Sequence, residues 1–140
     1  MDYKGIEKRV CVHFEIPGAT LNYKKNKIIF PSKTHNEEFC PVMDISRGGL
    51  RFLCQHPLKI NTKVLLNISV PGERTSLALN GAVRWTSLNT EKSYKYQVGV
   101  QFNPYGEKKG QNYPGTLVKI ISLEQKYTPE SKVPKKETGK

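Results

Sequence analysis

Between Val10 and Phe102 the chain is cut into short apolar segments, each closed by a turn signal, and none has the length or spacing of a helix. Val10, Val12 and Phe14 alternate with Cys11 and His13, a strand signal that Pro17-Gly18 interrupts. Ala19 to Tyr23 resumes the alternation, Lys24-Lys25-Asn26-Lys27 reads as a turn, and Ile28-Ile29-Phe30 as a short strand pairing back before the loop Pro31 to Asn36. Phe39 to Ile45, Leu50 to Leu53, Val64 to Val70, Ser76 to Thr86 and Tyr94 to Phe102 read as further strands. Within Ser76 to Thr86 the apolar set Leu77, Leu79, Ala82 and Trp85 shares one face if a bulge falls at Gly81. Successive strands without crossover helices predict an antiparallel barrel or sandwich, and closing the sheet removes its exposed edges. Only Leu117, Ile120, Ile121 and Glu124 follow helical spacing; Gly115 or Thr116 could start that helix and Pro129 follows its end. The fold class is therefore all-β with one C-terminal helix covering a barrel opening.

The chain has 140 residues, 36% of them hydrophobic, which suits one folded domain. We divide it into a flexible lead-in over residues 1–8, the barrel with its helix over 9–126, and a disordered basic tail over 127–140 that carries Lys132, Lys135, Lys136 and Lys140. No apolar run reaches bilayer length and the polar N-terminus lacks a signal-peptide core, so a cytoplasmic protein without a membrane span is expected. The net charge of +11 favours a polyanionic partner. Nucleic acid is a poor match, because Tyr23, Tyr94, Tyr96, Arg84 and Lys95 are too sparse for a groove of interleaved cations and rings. Cys11, Cys40 and Cys54 are odd in number and form no Cys-x-x-Cys pair, so reduced buried thiols are expected rather than disulfides or a metal centre. No Ser/His/acid order or paired carboxylates mark a catalytic site, so neither an enzyme nor a cofactor is expected.

One stretch asks for more than structure. Asp44-Ile45-Ser46-Arg47-Gly48-Gly49-Leu50-Arg51-Phe52 sets an acid, a hydroxyl, an arginine and adjacent glycines at the mouth of a strand. A carboxylate accepts two N–H donors side by side, as a guanine edge offers them, and glycine permits positive φ and close approach of a ligand to the backbone. Asp44 and Ser46 could equally cap their own turn.

Taken in order, Arg9-Val10-Cys11-Val12-His13, the Asp44-x-Ser46-x-x-Gly49 turn, Gly81-Ala82-Val83-Arg84-Trp85 and Val98-Gly99-Val100-Gln101-Phe102 resemble a PilZ domain, the bacterial receptor module for cyclic di-GMP. The resemblance covers roughly residues 5 to 125 and implies a six-stranded antiparallel β-barrel with a C-terminal helix. It implies that an Arg-x-x-x-Arg arm grips phosphates and guanine faces, that the Asp and Ser contact guanine and phosphate, and that the Gly gives clearance. Carried over by position, the ligand residues are Arg9, His13, Asp44, Ser46 and Gly49, with Lys8 and Arg47 adding positive charge. His13 stands where the second arm arginine belongs. An imidazole lacks the permanently charged planar fork of a guanidinium, and one lost charge-assisted contact costs about 1.5–3 kcal/mol. Two functions follow: a cyclic di-GMP receptor that passes its signal to a separate effector protein, or an adaptor of the same fold that His13 has left unable to bind the dinucleotide.

Overall fold

The computed structural model describes residues 12–25, 35–89 and 93–128. Lys8, Arg9, the strand expected at Ile28-Ile29-Phe30 and the tail from residue 129 lie outside the described residues. Six strands are present among those described: β1 Thr20–Lys25, β2 Glu37–Ile45, β3 Gly49–Cys54, β4 Lys63–Ser69, β5 Leu77–Leu88 and β6 Tyr96–Phe102. They close into an antiparallel barrel, the fold the family resemblance implies, in the order β1-β2-β3-β6-β5-β4. The helix α1 runs over Pro114–Tyr127.

Alternation decides which side chains fill the barrel. Val64, Leu66 and Ile68 of β4 and Leu50, Phe52 and Cys54 of β3 are buried, while their neighbours face outward. In β5 the inward set is Leu77, Leu79, Gly81 and Val83, not the expected Ala82 and Trp85. The bulge lies three residues later than expected. Val83 pairs with Val100 and Trp85 with Gly99, so Arg84 is the extra residue. Gly81 stays in register because a Cβ there would lie 2.6 Å from the Gln101 carbonyl oxygen; it marks close packing rather than the bulge.

Two other segments differ from expectation. The alternation over Val10 to Phe14 predicts a strand, but among its described residues only Phe14 pairs, in an isolated bridge to Ile45 with N–H to carbonyl distances of 3.0 and 2.9 Å. Lys24 and Lys25 extend β1 rather than turning, held by six consecutive pairs with β4. A second bulge sits where β1 meets β2. It holds Phe39 at φ 59°, with 69% of its surface exposed and its N–H donated to Asn22 Oδ1.

The helix begins at Pro114, earlier than Gly115 or Thr116, because proline's fixed φ suits the first helical position. It ends before Thr128, whose extended backbone is what a residue preceding proline prefers. Ile120 and Leu123 join the core from its inner face. Asn112 ties the segment entering the helix to β5. Its amide accepts from Asn80 N at 2.7 Å and donates to the Asn80 and Asn103 carbonyls at 3.0 Å. No helix among the described residues is long and apolar enough to cross a membrane.

Candidate functional site

The Asp44–Phe52 stretch forms the β2–β3 hairpin. Asp44 pairs with Arg51 and Ile45 with Leu50, and the turn is closed by Ser46 N–H on the Gly49 carbonyl at 2.8 Å. Ser46 Oγ reaches the same carbonyl at 3.3 Å, and its side chain is buried. Neither Gly48 nor Gly49 takes positive φ, contrary to the expectation for this turn. Gly49 is required for a different reason. A Cβ there would fall 2.3 Å from the Val100 carbonyl oxygen, so the lack of a side chain lets β6 approach.

Asp44 is buried and charged, and its two oxygens have different surroundings. Oδ2 accepts from Arg51 Nε at 2.9 Å and also from Arg51 Nη2. Oδ1 is buried with no hydrogen-bond partner among the described residues, and His13 Nδ1 stands 3.8 Å from it. The hydrogen-bonded Asp44 carboxylate raises the pKa of the Arg51 guanidinium, with partial burial opposing it, so the guanidinium keeps its charge. His13 is about two-thirds exposed and Arg51 about two-fifths, and both lie between Asp44 and solvent.

In front of them is an open groove of about 250 Å³ on the outer face of β3, β6 and β5. Its turn side is formed by His13, Ser46, Gly48 and Gly49, and Arg51 joins them from β3. Its far side is formed by Arg84 and Trp85 of β5, with Gly99 and Gln101 of β6 as floor. The indole packs against Gly99, where a Cβ would come within 2.3 Å of the ring. One aromatic side chain, two guanidinium groups and one imidazole thus surround the space, and the Asp44 carboxylate is bonded to one of those guanidinium groups. Such a site suits a planar, hydrogen-bonding, negatively charged ligand.

Of the expected residues, His13, Asp44, Ser46 and Gly49 are brought together; Lys8 and Arg9 lie outside the described residues. Arg47 is not in the groove. Its side chain forms a two-bond pair with Glu124 of α1, at 3.0 and 3.2 Å, and its carbonyl accepts from Tyr105 Oη at 2.6 Å. The turn points it along the barrel end, where the helix supplies an acid. From the sequence Trp85 reads as a core or rim residue and Arg84 only as a weaker candidate for a basic rim, because alternation puts neighbours on opposite faces; the bulge brings both to one side. The available signal was Gly99, a glycine set between two valines that leaves room for a ring on the next strand.

The family model for the PilZ domain matches residues 23–113, a span that contains the hairpin, Trp85 and Gly99 but begins after His13. No curated protein matches the chain. With the closed six-stranded barrel and the helix that follows it, this match shows that the chain belongs to the PilZ domain family, a family of cyclic di-GMP-binding modules.

Proposed function

We propose that this chain is a cyclic di-GMP receptor that passes its signal to a separate effector protein. The observation that carries the reading is the buried Asp44 Oδ1 beside His13 and Arg51 of the groove wall, which has no hydrogen-bond partner among the described residues, while a hydrogen-bonding guanine edge is what such an oxygen accepts. Ser46 offers a hydroxyl beside it. Trp85 provides a stacking face across the groove, and His13 a donor at its rim. Arg9 and Lys8 bring the remaining charge. Three residues separate Arg9 from His13, so their Cα atoms lie at most about 14 Å apart and Arg9 is tethered within range of the groove. A groove of about 250 Å³ is smaller than a typical ligand pocket, roughly 300–1,000 Å³, which suits a ligand held partly by the wall and partly by the N-terminal arm.

The test uses the only tryptophan in the chain as a reporter. Cyclic di-GMP should quench Trp85 fluorescence and release heat in titration calorimetry. Asp44→Ala should weaken binding by about one to two decades, the loss of one charge-assisted contact, and Ser46→Ala by less. A flat titration at about 1 mM ligand by both methods sinks the proposal.

A second reading is favoured by the Asp44–Arg51 pair together with His13: the acid already has an internal cation, and the arm has a single arginine. In that reading the chain is a PilZ-fold adaptor acting by protein contact alone. A flat titration with a folded protein is its expected result.

A further inference from the structure

The arm provides one guanidinium, Arg9, where the resemblance implies two, yet cyclic di-GMP carries two phosphodiester charges. The barrel wall has two candidates to supply the second fork. Arg51 is occupied, since its Nε and Nη2 both lie on Asp44 and the pair is neutral as a unit. Arg84 differs: it is exposed, lines the groove, and has no ion-pair or hydrogen-bond partner among the described residues. Its placement is built rather than incidental. The register shift between Val83 and Trp85 inserts Arg84 as an extra residue, which turns it and Trp85 to the same groove. In a regular strand one of the two would face the barrel interior. The bulge therefore sets an uncompensated planar cation beside the indole face, the arrangement that holds a nucleotide by its phosphate and its base together.

We infer that Arg84, carried on the β5 bulge, is a phosphate-binding residue of the groove and supplies the guanidinium fork that His13 cannot. This rests on the cyclic di-GMP reading of the same site and adds to it the residue on which the second phosphate depends.

The experiment is calorimetric titration of the full chain with cyclic di-GMP for wild type, Arg84→Ala, Arg84→Lys and Lys25→Ala. Lys25 is an exposed cation on β1, which lies across the closed barrel from β6, and it removes the same unit of charge away from the groove. Arg84→Ala should lower affinity ten- to a hundredfold, the worth of one charge-assisted contact to a phosphate. Arg84→Lys keeps the charge without the fork and should fall between Arg84→Ala and wild type. Lys25→Ala should stay within about twofold of wild type. Adding His13→Arg to Arg84→Ala should recover much of the loss, because the two positions serve the same phosphate. Since Arg84 is exposed, unchanged melting temperatures should accompany these results. If wild type binds and Arg84→Ala binds equally well, the inference is overturned while the receptor reading stands. If Lys25→Ala weakens binding as much as Arg84→Ala, the effect is the field of the whole protein and the inference is likewise overturned. If wild type does not bind, both fall.

Discussion

Single residues in this barrel are held by specific neighbours, and three of them have consequences away from the groove. Tyr23, Cys40 and Cys54 are buried at the end of the barrel that Glu37 organises, where Glu37 accepts from Tyr23 Oη at 2.7 Å and from the Gln55 and His56 N–H groups at 2.9 and 3.1 Å. Burial, with the nearby Glu37 charge adding to it, pushes the Cys40 thiol from its ordinary 9.0 up to about 12. Burial pushes Cys54 from 9.0 to about 12 as well, and the Tyr23 hydroxyl upward in the same direction. In this window the folded chain keeps protons that the unfolded chain has lost. Stability is therefore complete below about pH 9 and declines as pH rises toward 12. Urea midpoints compared at about pH 8 and about pH 10.5 should show the decline in wild type and a smaller one in Cys40→Ala. An equal decline in both proteins removes the thiol from the explanation. The buried state of Cys40 and Cys54 was legible in the sequence, since isolated apolar-flanked cysteines behave as small hydrophobes. The role of Gly49 was not, because the Val100 carbonyl it accommodates belongs to a strand about fifty residues away.

Among the elements, the β2–β3 hairpin and α1 are fastened to each other by Arg47 and Glu124. Their side chains are 28% and 13% exposed, and the guanidinium meets both carboxylate oxygens. A two-bond pair in this partly dry setting is worth more than a surface ion pair, and removing one partner leaves the other charge half-buried. Arg47→Ala should cost roughly 1–3 kcal/mol in urea denaturation and speed amide exchange across α1. It should leave ligand affinity within about twofold, because the side chain points away from the groove. A tenfold loss of affinity with α1 still protected would return Arg47 to the binding site. The existence of α1 was legible from the spacing of Ile120 and its neighbours. Its docking partner was not, since nothing in the spacing of Glu124 says which arginine the fold brings to it.

For the molecule as a whole, closure is the central fact. β1 pairs with both β2 and β4, so no strand edge is left among the six and each strand's inward residues share one core. A single core predicts a single cooperative transition. Trp85 fluorescence reports the outer face and far-ultraviolet dichroism the backbone, and the two unfolding curves should coincide. Leu66, fully buried in β4, should cost about 2–5 kcal/mol on replacement by Ala, with both curves shifting together. Separate midpoints for the two signals would show that the groove face unfolds independently of the barrel.

Antiparallel strands joined by turns, the terminal helix and the Asp-x-Ser-x-x-Gly turn could all be read along the chain, whereas the count of six came from the family resemblance. Each depends on local chemistry: alternation, turn residues and helical spacing act within a few positions of one another. The groove required the closed barrel. Arg84 and Trp85 share a face because β6 pairs with β5 in a register that skips one residue, and Trp85 finds its seat because Gly99 arrives opposite it. Arg51 covers Asp44 because the hairpin aligns them, whereas Arg47, four positions nearer in sequence, is drawn off by Glu124. Pairing register and long-range charge partners are properties of strands meeting in space, so only the tertiary structure could decide which cations face the ligand and which hold the fold.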